Sequence, residues 1–100
     1  MCGIFAYKGH RNKAGSLVIK GLKKLEYRGY DSWGVAWKKP DNSIGIHKKV
    51  GKIGSSGNVT LPSSNFAMGH SRWATHGGVT TKNAHPHGTE ENRIVIIHNG

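Results

Sequence analysis

Apolar positions along the chain change period several times, and each change marks an element. GIFAYK (3–8) is short, apolar and aromatic and predicts a strand. From Ala14 to Tyr27 the spacing becomes helical. Val18, Leu22 and Leu25 fall at i, i+4 and i+7 with Leu17 beside them, while Lys20, Lys23, Lys24 and Glu26 fill the opposite face. Gly29 is expected to stop this helix in a left-handed conformation, and Gly21 inside it points to close packing. WGVAW (33–37) and the alternating Ile44 and Ile46 flank the turn-forming KKPDNS and predict a hairpin. NFAMGHS (65–71) and RIVIIHN (93–99) predict two further strands, the second a continuous apolar run that suggests burial on both faces.

Two stretches lack a hydrophobic period. Residues 51–65 are rich in Gly, Ser and Asn and predict an irregular loop. HSRWATHGGVTTKNAHPHGTEEN (70–92) is long, and structureless segments of that length inside a compact domain are usually functional. There is no internal repeat. The chain halts on His-Asn-Gly straight after its most apolar strand, so a longer domain is expected.

Composition narrows the class. One hundred residues, 35% of them hydrophobic, make one small domain or a piece of a larger one. No stretch approaches the ~18 apolar residues of a membrane span, and the first ten residues lack the pattern of a signal peptide. A single cysteine forms no internal disulfide, so a cytoplasmic location is expected. Fifteen Lys and Arg against five Asp and Glu give a net charge of +10. That charge raises nucleic acid as a partner. However, the lysines are scattered as pairs (23–24, 38–39, 48–49), and no nucleic-acid-binding signature accompanies them. An anionic small substrate suits the same charge.

The lone cysteine stands second. With Met1 removed, Cys2 carries a thiol and a free α-amine. That amine, with an ordinary pKa of about 7.7–8.0, can take the thiol proton directly or through a water. The position alone leaves open a small buried hydrophobe. A thiolate attacking an amide carbonyl needs donors for the oxyanion. The side chain of Asn99 and the peptide N–H of Gly100 are candidates, although Asn-Gly is equally a turn signal. Arg72 is suited to fork onto a carboxylate, with Thr75 and His76 as further donors. His85-x-His87 is a poor metal pair without more ligands, so no metal or cofactor is expected.

MCGIFAY, LEYRGYDS, HSRWATHG, NAHPH and IIHNG occur in this order over essentially the whole chain. Together they resemble the N-terminal glutaminase domain of the glutamine–fructose-6-phosphate aminotransferase family. The tyrosine in YRGYDS sets the chain apart from the amidophosphoribosyltransferases, which typically have glutamine there. The resemblance implies an α+β fold, the αββα sandwich of N-terminal-nucleophile hydrolases, present as its N-terminal portion. It also implies glutamine hydrolysis at Cys2, with ammonia passing to a sugar-isomerase domain that converts fructose 6-phosphate to glucosamine 6-phosphate. By the same resemblance Arg72 binds the glutamine α-carboxylate with Thr75 and His76. Asn99 and Gly100 form the oxyanion hole, and Trp73 belongs to a mobile loop over the substrate. His85 and His87 lie near the site, and the parent enzyme is a homo-oligomer. Arg28 and Asp31, which follow the helix terminus, suit structural or interdomain polar roles better than catalysis. Two features depart from the family pattern. The aspartate that binds the α-amine falls beyond Gly100, and Trp33 stands where alanine is usual. The alternative is an inactive remnant that acts as a basic binding module.

Overall fold

The computed structural model describes residues 2–55, 57, 59–75 and 77–98. Four strands form one antiparallel sheet: β1 (Gly3–Lys8), β2 (Ser32–Lys38), β3 (Ile44–Val50) and β4 (Phe66–Arg72), in the order β1-β4-β2-β3. Helix α1 (Ala14–Lys24) crosses one face of it. A short ribbon of β5 (His87–Gly88) and β6 (Val95–Ile96) lies after β4 in the chain.

Alternation along the strands gives the sheet two unlike faces. Trp33, Val35 and Trp37 of β2 and Ala67 of β4 pack on Ala14, Val18, Ile19 and Leu22 of α1, with Tyr7, Val59 and Leu61 at the margin. Trp33 is fully buried, so the indole that departs from the family pattern is accommodated in the main core, where it packs beside the His47 ring. Gly69 of β4 lets the helix approach, because a Cβ there would stand 2.6 Å from Val18 Cγ1 and 2.7 Å from Leu22 Cδ1. Gly21 does the same from the helix side, since a Cβ would enter the Phe5 ring.

The helix is shorter than its periodicity predicts. It ends at Leu25, whose N–H donates to the carbonyls of Gly21 and Leu22, and a 3₁₀ turn over Glu26–Arg28 follows. Gly29 is extended, with φ of −174°, and is not the left-handed cap expected. Its role is steric: a Cβ would sit 2.7–2.8 Å from the backbone of Ser71, Arg72 and Trp73. The hairpin forms as predicted, closed by Lys39 N–H to Ser43 carbonyl, with Asn42 at φ of 68°. Within the irregular 51–65 stretch a 3₁₀ turn, Ile53–Ser55, drops Ile53 into the core.

The run 93–99 is the largest departure. Among its described residues only Val95–Ile96 is strand, paired with His87–Gly88, and Ile94 and Ile96 are 65% and 58% exposed. Apolar character alone does not bury a segment. Among the described residues no second layer lies against this one.

Candidate functional site

Cys2 immediately precedes β1, at the end of the sheet where β4 runs out into residues 73–75. Gly3 lets it come close, because a Cβ there would lie 2.7 Å from Ser71 Oγ and 2.9 Å from Leu25 Cβ. Cys2 is 5% exposed. Its sulfur accepts a hydrogen bond from the Trp73 peptide N–H at 3.4 Å and faces the Trp73 carbonyl at 3.8 Å. Arg28 Nε donates to the Cys2 carbonyl at 3.2 Å. Asp31 holds the next link, its Oδ2 accepting from the Ala74 N–H at 2.8 Å, while its own N–H donates to the Arg72 carbonyl at 2.9 Å. The residues expected to anchor structure, Arg28 and Asp31, therefore grip the two backbone segments that enclose the thiol.

Arg72 projects from the sheet face opposite α1 and is 7% exposed. Its Nη1 donates to the Gly78 carbonyl at 2.9 Å, which Asn83 Nδ2 also reaches at 3.0 Å. Gly77 turns this loop with φ of +74°, a conformation glycine adopts freely. Trp73 is 44% exposed and meets the Tyr30 ring edge-on at 5.8 Å, and Lys52 Nζ lies 5.5 Å from the centre of the Tyr30 ring. Thr75 follows on the same loop and is exposed. Cys2, Arg72, Trp73 and Thr75 are thus brought to one end of the sheet. His76, Asn99 and Gly100 lie outside the described residues.

A histidine stack was the feature hardest to see beforehand. Buried His70 lies 4.2 Å from His85, centroid to centroid and nearly parallel, and His85 lies 4.3 Å from His87. Gly34 of β2 makes room for this, because any Cβ there would run into the His85 carbonyl. Lys48 Nζ donates to the Ala84 carbonyl at 2.8 Å and fixes the same loop. Burial, opposed in part by the bond to His98 and reinforced by Arg72, His87 and His98, pushes His70 down to about 4. Burial first, then His70, His87, Arg72 and Lys48, pushes His85 down to about 4. Burial also lowers His87 and Lys48. The stack is therefore neutral at ordinary pH. Among the described residues no three His, Cys, Asp or Glu side chains converge as metal ligands. The HPH spelling in the sequence was the one available signal, and it did not show that His70 completes the stack.

Structures similar to this one are amidotransferases. The glutamine phosphoribosylpyrophosphate amidotransferase of B. subtilis superposes with a TM-score of 0.70 at 25% identity, over 92% of this chain and 20% of that one. An allosteric regulatory enzyme of purine biosynthesis gives 0.71 at 28% identity, over 86% and 18%. The chain thus has the N-terminal portion of the N-terminal-nucleophile glutamine amidotransferase fold, as its motifs implied.

In sequence it is similar over its whole length to the glutamine–fructose-6-phosphate aminotransferase [isomerizing] of Thermus thermophilus, at 47% identity, and to that of Methanococcus maripaludis, at 48%. It spans 17% of the length of each. No protein-family profile matches the chain. The resemblance drawn from the five motifs is borne out. No helix among the described residues is long and apolar enough to cross a membrane.

Proposed function

We propose that this chain carries the glutaminase chemistry of an aminotransferase that supplies ammonia to fructose 6-phosphate and forms glucosamine 6-phosphate on a sugar-isomerase domain elsewhere in the same polypeptide. The observation that carries the reading is the placement of Cys2, its sulfur held on the Trp73 peptide beside Arg72. With Met1 removed, the α-amine accepts the thiol proton, and the thiolate attacks the side-chain carbonyl carbon of glutamine. Negative charge gathers on that oxygen, where the Asn99 amide and the Gly100 N–H are the donors. The ammonium of Cys2 returns its proton to the departing nitrogen, which leaves as ammonia, and a γ-glutamyl thioester remains. Water, deprotonated by the same amine, then adds to the thioester and releases glutamate and the thiol.

Arg72 receives the α-carboxylate of glutamine, and Thr75 and His76 contribute further bonds. The positive charge and forked donor geometry of the Arg72 guanidinium suit a carboxylate there. Trp73 stands at the rim and closes over the substrate. The alternative of a basic binding module has less support. The lysine pairs sit at the end of α1, at the end of β2 and along β3, where Lys48 and Lys49 point to opposite faces of the sheet.

The test is intact-mass spectrometry of the protein as its gene encodes it, after treatment with 6-diazo-5-oxo-norleucine. The expected result is loss of Met1 and one adduct on Cys2, suppressed by excess glutamine and absent in Cys2→Ala. Retention of Met1 on the whole population, or labelling indifferent to glutamine, overturns the reading.

A further inference from the structure

Strand β6 ends at Ile96, and beyond it no strand pairing continues among the described residues. Residue 98 is nevertheless held at both polar atoms of its backbone. The His70 ring donates from Nε2 to the His98 carbonyl at 2.9 Å, and the His98 N–H donates to Nδ1 of His85 at 3.3 Å. The two rings that make these bonds stack on each other at 4.2 Å. One ring is rooted in the central strand β4, and the other is fixed by its carbonyl against Gly34 and by the neighbouring Ala84 carbonyl on Lys48. The peptide leading into Asn99 is therefore set by two imidazoles and not by a sheet ladder.

We infer that His70 and His85 are positioning residues for the oxyanion donors that follow His98. The inference rests on the glutaminase reading given above. The bonds dictate the tautomers. A carbonyl only accepts, so His70 carries its proton on Nε2. His85 accepts at Nδ1, so its proton is on Nε2. His85 must be neutral in this arrangement, because a proton on its Nδ1 would turn the acceptor toward a donor, and burial disfavours the charged form of His70. The groups around them are His87, Arg72, Lys48 and His98, all of which oppose a second positive charge. An oxyanion donor acts in the transition state far more than on bound glutamine, so its displacement lowers kcat and leaves KM nearly unchanged.

Four variants of the gene-encoded protein test this. His85→Asn keeps an acceptor near the place of Nδ1, and His85→Leu removes it. His70→Gln keeps a donor near the place of Nε2, and His70→Met removes it. Glutaminase kcat and KM are measured alongside the rate of Cys2 alkylation by iodoacetamide, a displacement at a saturated carbon that builds no oxyanion. In the Leu and Met variants kcat is expected to fall about 100-fold. KM and the alkylation rate should stay within about threefold of the parent, and the Asn and Gln variants should recover most of kcat. Should the Leu or Met chain not fold, the Asn and Gln variants decide alone, and a 30-fold loss of kcat in them overturns the inference. It is also overturned if the Leu and Met variants keep kcat, or if alkylation slows in step with kcat. Unsubstituted protein that shows no glutamine-protected labelling of Cys2 removes the glutaminase reading and this inference together. Labelled protein whose histidine variants keep kcat removes the inference alone.

Discussion

The two faces of the sheet are built by different means. The α1 face is filled by side chains, Trp33, Val35 and Trp37 against Val18 and Leu22, and is held by apolar burial. The opposite face carries His70, Arg72 and Gly34, and its cover is an irregular segment held by bonds between side chains and backbone: Lys48 to Ala84, Arg72 to Gly78, His70 and His85 to His98. Burial is non-directional and forgiving of small shifts. Hydrogen bonds to named backbone atoms are directional and leave costly orphans when broken. A protein that must hold reacting groups in register has reason to place them on the second kind of surface.

Substitutions can separate the two. Leu22→Ala on the helix face should cost the most, about 3–4 kcal/mol of stability by chemical denaturation, because it opens a cavity in a fully buried position. The protein that stays folded should still alkylate at Cys2 at the parental rate, and a matching loss of thiol reactivity would mean the faces are not independent.

Acid should act on the other face. His70 is lowered from 6.5 to about 4, so the unfolded chain takes up its proton first as pH falls. Stability is full above about pH 6.5 and declines as pH drops toward 4, on the order of 3 kcal/mol for His70 alone. Denaturation midpoints at pH 7, 5.5 and 4.5 check this, and His70→Gln should flatten the decline.

Gly34→Ala should cost about 2–3 kcal/mol, since the added carbon meets the His85 carbonyl, which is backbone and cannot swing aside. Unlike Leu22→Ala it should lower glutaminase kcat even in the folded fraction. Equal kcat in the two variants would erase the distinction. The smallest effect expected is that of Asp31→Asn, which weakens the bond to the Ala74 N–H by about 1 kcal/mol. It should change the rate of Cys2 alkylation severalfold while leaving the melting temperature within a few degrees.

The same contrast explains what was legible in the sequence. Strands β1, β2 and β4, the hairpin and the core face of α1 follow from periods of 2 and 3.6, because burial imprints itself as a period. Ile53 did not stand out, since a single apolar residue in a polar loop has no period. Gly29 was misjudged because glycine signals a left-handed turn and a close backbone approach with the same letter. The run 93–99 looked like a buried strand because composition cannot say whether a covering layer is present. At the site, Cys2, Arg72, Trp73 and Thr75 were legible as motifs, and the structure gathers them. The stack of His70 on His85 was not. It depends on a pairing between positions 15 apart that no period links, and on the missing side chain of Gly34.

The bond from Trp73 to the Cys2 sulfur joins residues 71 positions apart, whereas the β2–β3 hairpin closes between Lys38 and Ile44. Closing a long loop costs entropy that local pairing avoids, and distant contacts form late. During synthesis the hairpin and α1 can organise soon after they leave the ribosome. The cradle for the thiol has to wait until Trp73 has emerged. A nascent chain shorter than that holds the thiol without its seat, so the order of assembly itself delays the cradle of Cys2 until Trp73 has been made.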